Sequence, residues 1–294
     1  MTSPAVVVRG VSISNPQRVM YPDEGITKLD LVRYVEKVGE WMLPHVAGRP
    51  LSLLFCPDGI AGTCAYLKHG RPGSPKALRR VAIREKTKVG EYMVADTLEA
   101  LVSIMQMNWI EVHTWNATAD ALERPDRLVF DLDPGPEVKW PQVVEAARDT
   151  RDLLADAGLR SWPKTTGGRG LHVVVPLRAG TSWSSGLACA SDVASTLVER
   201  APDRFTTNVS KAGREALILV DVMRNNRGST VVAAYSPRAR AGAPVSTPVA
   251  WDELSPRRTP DRFTVRSLPR RLASLGRDPW EEYWTCEQTI PEEG

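Results

Sequence analysis

A chain of 294 residues, 42% apolar and 25% charged, carries enough apolar sequence for a sizeable core and is too balanced for a disordered or fibrous protein. No stretch approaches membrane-spanning length, and the apolar run within Met1–Gly10 is too short for a secretory leader, so a cytoplasmic protein is expected. The net charge of +3 favours a polyanionic partner only mildly.

In chain order, Thr27 and Asp30 have the spacing of a capping box ahead of Leu29, Leu31, Val32 and Val35, which predicts a helix over about 28–42. The apolar run Leu51–Phe55 reads as a strand, and Tyr66 and Lys68 stand one strand period apart soon after it. Asp96 with Glu99 predicts a cap for a helix from Leu98 to Met107. In Trp109–Trp115, a predicted strand, Glu111, His113 and Trp115 alternate. A strand over 128–131 is followed by a helix that opens at Pro141 and closes at Gly158. Further strands are expected at 171–176, 216–221 and 230–234, with a helix over 186–199. Interleaved helices and strands indicate an α/β or α+β fold, and no composition shift marks a boundary, so one compact unit over 1–294 is expected. The Pro- and Arg-rich passage Ser255–Arg271 reads as an irregular tail strapped across the body. Cys56, Cys64, Cys189 and Cys286 lack metal-site spacing and are expected to be reduced thiols.

The most informative feature is the pair Asp131 and Asp133 in Arg127-Leu-Val-Phe-Asp-Leu-Asp-Pro-Gly-Pro136. Alternate residues of a strand share a face, so both carboxylates leave the strand end side by side. Such a pair is often only a solvated turn, but two carboxylates held close repel unless a cation separates them, and a hard divalent ion is a common solution. Asp221 ends another apolar run and adds a third carboxylate, which would suit a two-metal site. Between these elements lies Lys164-Thr-Thr-Gly-Gly-Arg-Gly-Leu-His172, whose glycines let backbone N–H groups approach a phosphate and whose Thr166, Arg169 and His172 add donors. Three basic groups flank the acidic elements: Lys76, Arg79, Arg80, Arg84, Lys86 and Lys88; Arg224, Arg227, Arg238 and Arg240; and six arginines between Arg257 and Arg271. Together they favour nucleic acid or nucleotide over a merely solvated surface.

Asp131-Leu-Asp-Pro134 and Lys164-Thr-Thr-Gly-Gly-Arg-Gly-Leu-His-Val-Val-Val-Pro-Leu177 resemble the polymerase domain of bacterial DNA ligase D, of the archaeo-eukaryotic primase superfamily. So do Asp221-Val-Met-Arg-Asn-Asn-Arg-Gly228, Ala234-Tyr-Ser-Pro-Arg-Ala-Arg240, Pro244-Val-Ser-Thr-Pro248 and Trp251-Asp-Glu-Leu254; the likeness runs from about 14 to 284.

The resemblance implies a primase-like polymerase fold on an RRM-like catalytic sheet, acting in non-homologous end joining. It implies Asp131, Asp133 and Asp221 as ligands of two Mn²⁺ or Mg²⁺ ions, and His113, a nucleotide contact, as a further catalytic residue. Tyr66 would stack on the incoming base, and Lys68, Thr166, Arg169, Arg224, Arg238 and Arg240 would hold the nucleotide. In Ser14-Asn-Pro-Gln-Arg18, Asn15 and Arg18, with Lys28, would grip the 5′-phosphate of a DNA end. Gapped or overhanging duplex, nucleoside triphosphates, an end-joining ligase and a Ku-type end binder are the implied partners, at the nucleoid, with ribonucleotides preferred. Arg169 and Arg18 stand where the family commonly has Lys, and Phe55 where it commonly has a basic residue. The chain is either a stand-alone polymerase or a domain of a larger ligase. A non-catalytic end-binding module and a metal-dependent phosphoesterase are the competing readings.

Overall fold

The computed structural model describes residues 6–178 and 180–291. The reading of the N-terminus as leaderless therefore rests partly on residues 1–5, outside the described residues, as do the ends of the expected 1–294 unit. The expected mixed α/β architecture is present. Its backbone divides into two compact units, each gathered from three separated stretches. Because each unit is interleaved in sequence with the other, no linker marks the division in the composition.

The first unit takes in Met1–Asp120, Val232–Ser246 and Phe263–Leu275. The capping box forms as expected: the Thr27 hydroxyl accepts from Asp30 N–H while the Asp30 carboxylate accepts from Thr27 N–H, opening the helix Lys28–Val46. The cap of the helix Leu98–Gln106 differs from expectation. Thr97 accepts from Ala100 N–H, while Asp96 binds Arg79 at 2.6 Å and Gly48 N–H at 2.8 Å. Asp96 has a guanidinium to pair with, which outweighs a cap bond. The strands Trp109–Thr114, Leu51–Phe55 and Ala65–Leu67 form an antiparallel sheet, and the Ala233 N–H donates to Val112 O. The hairpin Arg79–Arg84/Val89–Val94 carries part of the first basic group. The passage read as an irregular tail contains the start of a helix, Leu268–Ser274.

Cys56 and Cys64 form a disulfide, correcting the expectation of four reduced thiols. Phe55 and Ala65 are partners in the sheet, so the next positions outward face each other with Cα atoms 4.4 Å apart. Spacing in sequence alone does not show that pairing.

The second unit comprises Ala121–Val231, Thr247–Arg262 and Gly276–Gly294. Its five strands run in the order Trp162–Thr165, Leu171–Pro176, Arg127–Pro134, Ile218–Asp221, Phe205–Thr206, antiparallel except for the last pair. The helices Trp140–Asp156 and Trp183–Arg200 pack on the central strands. Gly186 meets Leu128, which places Leu128, Phe130 and Leu132 on the helix-covered face. The alternate residues Val129, Asp131 and Asp133 share the opposite face. There Val129, Val174, Trp162 and Val231 pack with Trp280 and Tyr283. The Trp162 and Tyr283 rings meet edge to face at 5.6 Å, an arrangement that stabilises by about 0.5–1.5 kcal/mol beyond burial. One end of this face is thus an aromatic core and the other carries the carboxylates. Among the described residues no helix is long and apolar enough to cross a membrane.

Candidate active site

Strand register builds the second unit's site. Lys164 pairs with His172, His172 with Asp131, and Asp131 with Asp221, so four polar side chains form one row across four strands. Asp133 lies one period further along the central strand, opposite Leu219. The row follows from a simple fact of the pleat: Trp162, Val174 and Val129, one period back, are core residues, so their i+2 or i−2 neighbours must share their face.

Each carboxylate has a cation beside it. Arg224 Nε lies 3.1 Å from Asp221 and 3.6 Å from Asp131, His172 Nε2 is 3.5 Å from Asp131, and Arg214 donates to Asp133 at 3.0 Å. Burial raises the Asp131 pKa, but His172, Arg224 and Lys164 outweigh it and hold the group below its usual value. Asp221 moves the other way. Burial and the charges of Asp131 and Asp133 push it up against the pull of Arg224. Arg224 itself is placed by the short helical turn Met223–Asn225, and buried Asn225 anchors that turn by accepting from Val129 N–H at 2.8 Å and donating to Val129 O at 2.9 Å. Sequence alone shows His172 only as a phosphate donor and gives no signal for Lys164, Arg214 or Asn225; register brings His172 and Lys164 here, and the turns after the strands bring Arg214 and Asn225.

The glycine loop is closely tied down. Thr166 Oγ1 donates to Gly170 O and accepts from Gly168 N–H, and Arg169 donates to the carbonyls of Gly135, Pro136 and Val138 at 2.8–3.1 Å. A Cβ on Gly170 would lie 2.6 Å from Leu132 O, and one on Gly135 would lie 2.1 Å from Arg214 O. Only glycine admits these approaches, so the loop, the turn after Asp133 and the segment bearing Arg214 are packed backbone to backbone.

In the first unit, Tyr66 is 54% exposed and meets the His113 ring edge to face at 5.2 Å. His113 Nε2 lies 2.8 Å from the buried carboxylate of Glu111, and Arg238 Nε lies 3.1 Å from the same oxygen. Lys68 is exposed just past the strand that carries Tyr66. The Arg240 charge reaches the Tyr66 hydroxyl, where it opposes the upward shift caused by burial and Glu111. Phe55 carries the Arg71 guanidinium over its ring at 5.1 Å, which sets a cation beside this position.

Asn15, Arg18 and Lys28 are brought together. Arg18 N–H donates to Asn15 O and Lys28 N–H to Arg18 O. Asn15 sits at φ 49°, a left-handed turn that Asn tolerates. Arg18 also donates to Pro57 O, inside the disulfide-closed loop, and lies 3.7 Å from Asp58. Burial, and after it the Arg18 charge, lowers the Lys28 pKa, while Lys28 Nζ donates to Gln106 O at 3.1 Å.

The model of the family described as LigD, primase-polymerase domain, matches residues 27–280. The chain is 39% identical over 297 aligned positions to the multifunctional non-homologous end joining protein LigD of Pseudomonas aeruginosa, covering 96% of this chain and 34% of that protein. It is 34% identical to the LigD of Mycolicibacterium smegmatis, over 83% of this chain and 32% of that protein. The chain therefore spans about a third of the length of these relatives. Among solved structures, the polymerase domain from Mycobacterium tuberculosis ligase D in complex with DNA superposes with a TM-score of 0.86 at 32% identity, covering 92% of this chain and 97% of that one.

Proposed function

The chain belongs to the LigD primase-polymerase domain family, and from that premise we propose that it is a template-directed nucleotidyltransferase that extends 3′ ends and fills gaps at DNA double-strand breaks in non-homologous end joining. The observation that carries this reading is the row Lys164–His172–Asp131–Asp221 with Asp133 one period on. Clustered carboxylates beside convergent cations suit a reaction in which a polyphosphate must be held and a new negative charge accommodated.

Asp131, Asp133 and Asp221 would hold divalent ions. The donor chemistry suits a hard cation, since all three are carboxylates and the charges of Asp131 and Asp133 help to raise the Asp221 pKa; among the described residues no three such side chains stand as a formed metal cluster, and the Arg224 guanidinium lies against Asp131 and Asp221. Bound there, Mn²⁺ or Mg²⁺ would supply Lewis-acid chemistry, activating the attacking 3′-hydroxyl and stabilising the departing pyrophosphate. Arg224 would hold the triphosphate, while His172 and Lys164 keep Asp131 ionised. Thr166 and Arg169 hold the glycine loop rigid, so that its backbone N–H groups meet phosphate without reorganising.

In the first unit, Tyr66 offers a base-stacking face, with His113, Lys68, Arg238 and Arg240 around it for the phosphates and sugar. Asn15, Arg18 and Lys28 form a second anion site for the recessed 5′-phosphate of a DNA end. Ribonucleotides are preferred over deoxyribonucleotides, and an end-joining ligase and a Ku-type end binder are the partners. The site of action is the nucleoid in the cytoplasm.

One assay decides among the readings. A gapped, 5′-phosphorylated duplex is incubated with Mn²⁺ and matched ribo- and deoxyribonucleoside triphosphates. Template-directed extension, faster with the ribonucleotide, is the expected result. Shortening of the primer indicates a phosphoesterase, and binding without any product indicates an end-binding module.

A further inference from the structure

Glu111 stands in the strand Trp109–Thr114 with its side chain 4% exposed, and no motif singles it out. Three hydrogen bonds and one ion pair converge on it. Oε2 lies 2.8 Å from His113 Nε2, 3.1 Å from Arg238 Nε and 3.4 Å from the Tyr66 hydroxyl, while Oε1 accepts from Ala239 N–H at 2.9 Å. A buried carboxylate is costly unless its lone pairs are matched, and here both oxygens are. Burial alone would raise its pKa, but the His113 hydrogen bond and the Arg238 charge outweigh it and hold the group down to about 2. At neutral pH it accepts only, so His113 Nε2 must carry the proton.

We infer that Glu111 is a positioning residue for nucleotide binding. It sets the tautomer and ring orientation of His113, turns the Arg238 guanidinium, and pins the backbone between Arg238 and Arg240 at Ala239. Every group that it touches belongs to, or adjoins, the set assigned above to the incoming nucleotide. Arg238 Nε shares its oxygen with His113, so one carboxylate orients an imidazole and a guanidinium from separate chain segments. The inference rests on the polymerase reading of this set.

The competing role is structural: a buried carboxylate that only holds the 238–240 segment to the sheet. Glu111→Gln and Glu111→Asp separate the two. Glutamine keeps the size but replaces one acceptor by a donor that must face His113, Arg238 or Ala239. The readouts are nucleotide KM and kcat on a gapped duplex, ATP affinity with Mn²⁺ in the absence of DNA, the His113 titration by NMR, and binding of a 5′-phosphorylated end. Expected for Glu111→Gln are a tenfold or greater rise in nucleotide KM and in the ATP dissociation constant, a smaller change in kcat, and a His113 pKa lowered by the loss of the neighbouring negative charge. Glu111→Asp should recover at least part of the KM, and 5′-phosphate binding should change less than twofold in both. Unchanged ATP affinity and an unchanged His113 titration in Glu111→Gln overturn the inference. So does a parallel loss of ATP and DNA-end binding that aspartate does not recover, because that is the structural outcome. A wild-type protein that binds ATP but extends nothing overturns the polymerase reading instead, and the ATP and His113 measurements still decide the role of Glu111.

Discussion

Three carboxylates on neighbouring strand positions repel one another, and each has a cation within 3.6 Å. Arg224 is the pivotal one, because it serves Asp131 and Asp221 at once. At the proposed 5′-phosphate grip the balance is reversed: burial and the Arg18 charge lower the Lys28 pKa, and Asp58, 3.7 Å from Arg18, is the carboxylate beside the pair. Wild-type protein should therefore bind a recessed 5′-phosphate more tightly than a 5′-hydroxyl, and Lys28→Ala or Arg18→Ala should erase most of that difference. A charge-assisted phosphate contact stabilises by about 1.5–3 kcal/mol, so the loss should be roughly ten- to a hundredfold in isotherms at one fixed salt concentration. Equal affinity for both ends in the wild type would refute the grip. Glu111 makes a prediction of its own for stability. Its pKa is depressed from 4.5 to about 2, so its contribution is fully present above pH 4.5 and is lost as pH falls through about 2. The shift corresponds to about 3 kcal/mol at most. Denaturant unfolding between pH 5 and about 2 should be steeper in pH for the wild type than for Glu111→Gln; identical slopes would contradict the assignment.

At the scale of elements, the strands did most to make the site legible. The run ending at Asp131 and Asp133 announced a strand that the structure extends over Arg127–Pro134, and the strands 51–55 and 171–176 lie where the apolar runs put them. Which strands would be neighbours was not legible, because pairing across more than 30 residues depends on tertiary packing rather than local pattern. For that reason the sequence shows His172 only as one more phosphate donor and gives no signal for Lys164 or Asn225. Asn225 replaces a strand: where Ile218–Asp221 ends, its amide takes over both hydrogen bonds of Val129. Asn225→Ala leaves a buried N–H and a buried carbonyl without that partner, each costing about 1–3 kcal/mol. Thermal unfolding should show a loss of about 2–6 kcal/mol for the two groups together, and extension should fall further than the folded fraction does, because Arg224 loses its footing. A variant with wild-type stability and activity would show that the turn holds itself.

At the scale of the molecule, the two units explain what composition concealed. Each is closed by segments returning from far along the chain: Val232–Ser246 and Phe263–Leu275 in the first, Thr247–Arg262 and Gly276–Gly294 in the second. The aromatic residues Trp280 and Tyr283, which sequence reading left unassigned, complete the second unit's core behind the carboxylate row. The disulfide was hidden for a similar reason, since only the Phe55–Ala65 pairing brings Cys56 to Cys64. On the proposed polymerase reading, Asp131 and Asp133 carry the chemistry of nucleotide transfer and not the grip on DNA. Single-turnover extension of a primer on a gapped, 5′-phosphorylated duplex with Mn²⁺, measured for wild type, Asp131→Asn and Asp133→Asn alongside their DNA affinities, tests it most directly. The account predicts that each substitution lowers the rate by at least a thousandfold, about 4 kcal/mol of transition-state stabilisation, with DNA affinity nearly unchanged. Near-normal extension by either variant, or a loss of extension matched by an equal loss of DNA binding, would contradict it.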